Sequence, residues 1–167
     1  PGVPELLYYS HFPATILALL VGFFVFFNNP RSLLNRILFT ITLCFSAITI
    51  INLITWTNIN SDVIIFAWSL FGPLQGIISI LCIYFIYLLL QERDVTNVHK
   101  LVFSLLLLPV FLFSATNLNL SGFDVAWCDA FAYEGDVYST YYNLLGLVAI
   151  VWIAVMLVRS YRRAESA

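Results

Sequence analysis

Few side chains in this 167-residue chain can ligate, attack or exchange protons: two histidines, three cysteines and nine acids. Cys44 and Cys82 sit inside apolar runs, where a thiol behaves as a small hydrophobe. Cys128 stands in a polar connection. An odd count without a CxxC pair gives neither a disulfide framework nor a zinc site, so three unpaired thiols are expected. Phosphate-binding loops, nucleophile elbows and deaminase signatures are absent from the sequence. This pattern leads us to expect no catalytic residue, no metal site and no cofactor.

The densest chemistry lies in 117–137, NLNLSGFDVAWCDAFAYEGDV. Asp124, Asp129, Glu134 and Asp136 have no basic residue near them in sequence. The segment is too long for a tight turn, and connections of this length tend to be functional or disordered. Phe123, Trp127, Phe131 and Tyr133 argue against disorder, because such rings seek burial. Glu134-Gly135 supplies a turn for a short hairpin or re-entrant cap. Two readings stand: an interfacial aromatic belt with solvated acids, and a ligand-binding lid. Asn119-Leu120-Ser121 matches the glycosylation sequon, a short motif without meaning in most bacteria.

The elements that position these groups are apolar. Hydrophobic residues make up 62% of the chain and charged ones 10%, against about 45–50% and 25% in soluble domains. Five stretches approach the roughly 20 apolar residues a spanning helix needs. They run over 6–27, 37–57, 63–90, 101–116 and 138–158. The third is overlong and is expected to tilt, protrude or kink near Gly72-Pro73. The fourth is short and holds Pro109. β-branched runs such as ITLCFSAITIINLIT would hint at strand in water. In a bilayer every backbone group must be satisfied within its own segment or in a closed barrel. Runs this long, without ten-residue alternation, favour helices. The fold expected is an all-α membrane protein, a single domain over 1–167. The chain opens at Pro1 and its one methionine is Met156. A processed form or a portion of a longer protein is therefore expected, with the first helix directing its own insertion.

Charge placement orients the bundle. Arg31, Arg36, Arg93, Lys100, Arg159, Arg162 and Arg163 all fall after span one, after span three or after span five. The positive-inside rule then puts the N-terminus outside and the C-terminus in the cytoplasm, in an inner or plasma membrane. Segmentation and orientation support each other, since a wrong division would rarely alternate so cleanly.

Polar residues inside spans are costly and often functional. The candidates are His11, Asn52, Gln75 and Asn143. Asn and Gln at such depth commonly bond between helices, for about 0.6–2 kcal/mol each. Acids and bases are missing from the span centres, which argues against an ion pump, proton relay or voltage sensor. His11 lies toward the outer face and His99 in an inner connection beside Lys100. About 30 Å of hydrocarbon would separate them, so they cannot share one haem iron. Span five ends VAIVWIAVMLVRSYRRAESA and runs without Gly or Pro into a basic, helix-compatible tail. That tail either relays a shift of the helix or anchors arginines at anionic headgroups.

Four segments carry a family resemblance. NNPRSLLNRILF is similar to a first inner loop in which Asn and Arg precede the Phe that opens the second helix. Trp56 stands near the end of span two. FAWSLFGPLQGIISILCIYFIYLLL resembles a third helix with small and proline residues mid-span, and YSTYYNLLGLVAIVWIAVMLVRSYRRAES a fifth with outer tyrosines and a basic exit. Together they resemble the N-terminal seven-helix membrane region of bacterial sensor histidine kinases, over nearly the whole chain. The family has seven helices where five are read here. The resemblance therefore implies two further helices and an output domain after Ala167, with the basic tail as the loop before helix six.

The resemblance implies a sensory input module in signal transduction, non-catalytic in itself, whose outer half receives a small molecule or lipid. Position and residue type make Trp127, Phe131, Tyr133, Tyr141 and Asn143 the site residues expected, with Asp124 or Asp129 supplying charge. The bilayer, the stimulus and a second copy of the chain are the partners expected, and nucleic acid is not. Two other classes compete. An accessory subunit of a membrane complex would have little chain beyond Ala167. A transporter would show internal repeats with matching broken helices, and Gly72-Pro73 and Pro109 do not form a convincing repeat.

Overall fold

The computed structural model describes residues 5–122 and 135–165. Those residues are mostly helical, in six segments: α1 Glu5–Asn28, α2 Leu33–Thr57, α3 Ser61–Ser69, α4 Phe71–Gln91, α5 Asn97–Phe113 and α6 Asp136–Glu165. Asp124, Cys128, Trp127, Asp129, Phe131, Tyr133 and Glu134 lie outside the described residues, as does the hairpin expected there.

Four stretches are long and apolar enough to cross a membrane: Leu6–Asn28, Leu33–Thr57, Ser61–Gln91 and Asp136–Glu165. The third joins α3 and α4 through Leu70, which keeps right-handed helical dihedrals (φ −85°, ψ −16°). Pro73 explains the break there. It lacks the N–H that would bond the Ser69 carbonyl, and its ring crowds that carbonyl. α5 has 17 residues, about 26 Å at 1.5 Å per residue, against about 30 Å of hydrocarbon.

Each boundary has a local cause. Ser32 caps α2 by accepting the Asn35 N–H at 3.4 Å, and Asn35 Nδ2 donates to the Val25 carbonyl at the end of α1, at 2.9 Å. Asn60 caps α3 by accepting from the N–H groups of Asp62 and Val63. Glu92 ends α4 in the left-handed region (φ 53°), and its N–H bonds the Leu88 carbonyl at 2.9 Å. α6 carries Asp136 in its first turn and Arg162 and Arg163 in its last, both favourable to the helix dipole.

The helices pack as an open series. α1 packs on α2, α2 on α3 and α4, and α4 on both α5 and α6, which also touch each other. α1 and α2 are antiparallel, since His11 meets Asn52 and Thr15 meets Thr49 while Gly22 meets Thr42. α4 and α6 run parallel, Gly72 against Tyr138 and Gly146 against Ser79. One end of the bundle therefore gathers the Arg31, Arg93–Lys100 and Arg159 regions. The other gathers 58–62, 114–120 and 135.

Beside apolar residues such as Ile37, Ile51, Ile64 and Val110, the seams bury polar ones, and the outer faces are apolar. Thr15, Ser46, Thr49, Thr55, Ser69 and Asn119 are buried, while Leu17, Leu20, Phe24, Leu147, Ile150 and Val151 are exposed. Water-soluble chains do not leave such continuous apolar faces. Small and hydroxylated residues in the seams with large apolar ones outside is the pattern of helices that meet in lipid. Each buried serine or threonine hydroxyl among the described residues bonds a carbonyl of its own helix, as Ser46 does to Thr42 at 2.8 Å.

Candidate functional site

Three polar arrangements stand out, and the first lies between α1 and α2. His11 Nδ1 is 3.0 Å from the Leu7 carbonyl, which can only accept, so Nδ1 carries the proton. Nε2 is then an acceptor, and Asn52 Nδ2 donates to it at 2.8 Å. One turn on, the Thr15 and Thr49 hydroxyls meet at 2.6 Å, and Thr15 also donates to the His11 carbonyl at 2.8 Å. His11 and Asn52 thus satisfy each other across the seam.

The second lies where α6 enters the bundle. Tyr138 is buried and its hydroxyl donates to the Val110 carbonyl at 2.9 Å. Tyr141 donates to the Leu106 carbonyl, one turn along α5, at 2.8 Å. Pro109 stands between the two acceptors, where the α5 ladder already lacks one N–H. A glycine at 72 makes room: a Cβ there would lie 2.4 Å from the Tyr138 hydroxyl oxygen.

The third is a cleft of about 270 Å³ between α3 and the turns after α5. Asp62, Ile65, Phe66 and Ser69 form one wall, and Ser114, Thr116, Asn117, Asn119 and Leu120 belong to the other. The second wall is held by its own bonds. Asn119 is 2% exposed; its Nδ2 donates to the Ser114 carbonyl at 2.7 Å, and its carbonyl accepts the Gly135 N–H at 2.8 Å. Gly135 is required here, because a Cβ would fall 1.7 Å from the Leu118 carbonyl oxygen. The amide of the Asn119-Leu120-Ser121 sequon is thus occupied and buried, so this fold does not present it for glycosylation.

At the opposite end, Asp94 joins α4 to α5. One carboxylate oxygen accepts the Tyr84 hydroxyl and the Val95 N–H, and the other accepts Lys100 Nζ at 2.7 Å. Those donors, Lys100 first and then Tyr84, hold the Asp94 carboxyl below its ordinary value of 3.8. His99 Nδ1 meets the Thr96 hydroxyl at 2.6 Å.

Of the residues singled out from sequence, Tyr141 is committed to α5 and Asn143 is exposed on α6. Neither is among the residues lining the cleft. Gln75 is half-buried on α4, where its backbone carbonyl takes the Ser79 hydroxyl at 2.8 Å. Cys44 is buried and Cys82 half-buried, both as free thiols. Among the described residues no group of three His, Cys, Asp or Glu side chains could hold a metal ion. The sequence reading missed Asp62, Phe66, Ser69, Ser114 and Thr116. Asp62, the one acid between spans two and three, was the available signal.

Comparison with protein-family models, with curated proteins and with solved structures gives no match.

Proposed function

We propose that this chain is the membrane-embedded input module of a signalling protein, non-catalytic in itself. It would span an inner or plasma membrane five times, N-terminus outside and C-terminus in the cytoplasm. Its parent would be of the sensor histidine kinase type that the sequence resembles. The stimulus would be a small molecule or lipid received at the outer end.

One observation carries this reading: α6 is an unbroken rod of 30 residues with a job at each end. Its first turns hold α5 through Tyr138 and Tyr141, on either side of Pro109. Its last turns carry Arg159, Arg162 and Arg163. A change in the packing of the α5–α6 end moves a rigid helix whose other end would be, by the resemblance, the cytoplasmic loop into a sixth helix, so the shift would reach the output domain through the helices that follow. Such a device works by two packings, one of which the stimulus binds better. The orientation is supported by all seven basic residues clustering at one end of the bundle.

The length of the parent reading frame beyond Ala167 tests the reading. Two more apolar spans and a soluble signalling domain are expected. A stop codon within a few residues would instead leave an accessory subunit of a membrane complex. That second reading draws support from α1, which among the described helices packs on α2 alone and exposes Leu17, Leu20 and Phe24.

A further inference from the structure

We propose that the cleft between α3 and the turns after α5 binds a small organic ammonium ion. Its biological role rests on the sensory reading, whereas the binding itself is measured separately. Ser69 donates its hydroxyl proton to the Phe66 carbonyl at 2.7 Å, Ser114 to Phe111 at 3.0 Å, and Thr116 to Phe113 at 2.7 Å. With the protons turned into the backbone, the oxygens keep lone pairs, one of those on Thr116 being taken by the Leu118 N–H at 3.3 Å. Asn119 likewise turns its amide nitrogen to the Ser114 carbonyl. Asp62 adds a carboxylate, which accepts and never donates when ionised.

α5 ends at this wall with no basic residue in its last turn, so the negative pole of its dipole faces the positive first turn of α3, which Asp62 offsets. Among the described residues no lysine or arginine lines the cleft. The ligand that fits must therefore bring donors and positive charge. Phe66, 68% exposed, offers a ring face for cation–π contact, and Ile65 and Leu120 offer apolar surface. A volume of about 270 Å³ lies just under the usual range of roughly 300–1,000 Å³ for ligand pockets. That favours a single-ring or short-chain amine over a polyamine or a peptide. A bare divalent cation is poorly served, because it prefers six or more oxygens with several carboxylates and Asp62 is the one acid among the described lining residues.

The experiment is calorimetric titration of phenethylammonium into the chain held in lipid nanodiscs. Saturable binding is expected, with 2-phenylethanol failing to compete although it has the same ring. Asp62→Asn is expected to weaken binding by about tenfold or more, as loss of a charge-assisted bond does. Ser69→Ala removes one acceptor, leaves α3 intact and is expected to weaken binding a few-fold. If Asp62→Asn does not fold, Ser69→Ala and the alcohol decide the matter. Absence of saturable binding, equal binding of the alcohol, or affinity unchanged in both variants would overturn the assignment. Displacement of the amine by stoichiometric calcium would overturn it too, by making the cleft a metal site. Saturable amine binding in a chain whose parent lacks a signalling domain would uphold the cleft and sink only the sensory reading.

Discussion

Gly72 and Tyr138 are fitted to each other: a methyl group at position 72 would stand 2.4 Å from the Tyr138 hydroxyl oxygen and 3.0 Å from its ring. That hydroxyl is the one donated to the Val110 carbonyl. α4, α5 and α6 therefore meet through a single phenol, and the absence of a side chain at 72 lets it reach. Gly72→Ala is expected to destabilise the chain by about 1–3 kcal/mol, as overpacking does. Tyr138→Phe should cost about 0.5–1.5 kcal/mol, the value of one hydrogen bond. The double variant should cost less than the sum, since the phenylalanine ring lacks the atom in closest conflict. Reversible unfolding in detergent micelles measures all three.

A parallel relationship sets the α1–α2 seam. A Cβ at Gly22 would fall 2.1 Å from the Thr42 hydroxyl oxygen, which already donates to the Phe39 carbonyl at 2.8 Å. Gly22→Ala must turn Thr42 away and break that bond, at about 1–3 kcal/mol. Thr42→Ala in the same chain is expected to restore most of the loss. Interhelix disulfide trapping between engineered cysteines on α1 and α2 would report the same separation.

His11 and Asn52 satisfy each other at 2.8 Å. Replacing either by alanine leaves the other without that partner, so a double-mutant cycle should give a coupling of about 0.6–2 kcal/mol. Additive single effects would mean that the two side chains act independently. The same cycle on Gln75 and Asn143, which share no hydrogen bond, serves as the control.

The Asp94 cluster makes a pH statement. Because Lys100 and Tyr84 hold this carboxyl below its ordinary value of 3.8, its contribution is fully present above that value. It is lost as pH falls through the lowered folded-state value. The protection factors of the amides at 94–100, exchange being corrected for its intrinsic pH dependence, should therefore be constant around neutrality and fall only in acid below 3.8. Asp94→Asn should accelerate exchange at neutral pH and remove the acid step.

Much of the fold was legible because the bilayer imposes its own length scale. The four long apolar runs and the break at Gly72-Pro73 follow from hydropathy and from a missing N–H, and both are properties of single positions. Boundaries moved where capping decides: α2 begins at Leu33 rather than 37 because Ser32 caps it, and α5 takes in Asn97–Lys100. Span five, read over 138–158, extends to Glu165, since nothing between Arg159 and Arg163 breaks a helix. The pairing of His11 with Asn52 was not legible, although each was singled out, because it depends on the register of two helices. The cleft was harder still. Its oxygens come from serine and threonine, ordinary residues anywhere, and only the direction of their O–H bonds gives them a common character.

The account stands or falls on which side of the membrane each connection faces, and α5, with 17 residues, is the element in question. The direct measurement is labelling of single cysteines by a membrane-impermeant maleimide in intact cells, with Cys44, Cys82 and Cys128 replaced. Cysteines at Ile59 and Leu118, both exposed, should react from outside. Cysteines at Arg31 and Arg93 should react only after permeabilisation. If positions 93 and 118 labelled from the same side, α5 would not cross, and the five-span bundle with its outer cleft and cytoplasmic exit would be contradicted.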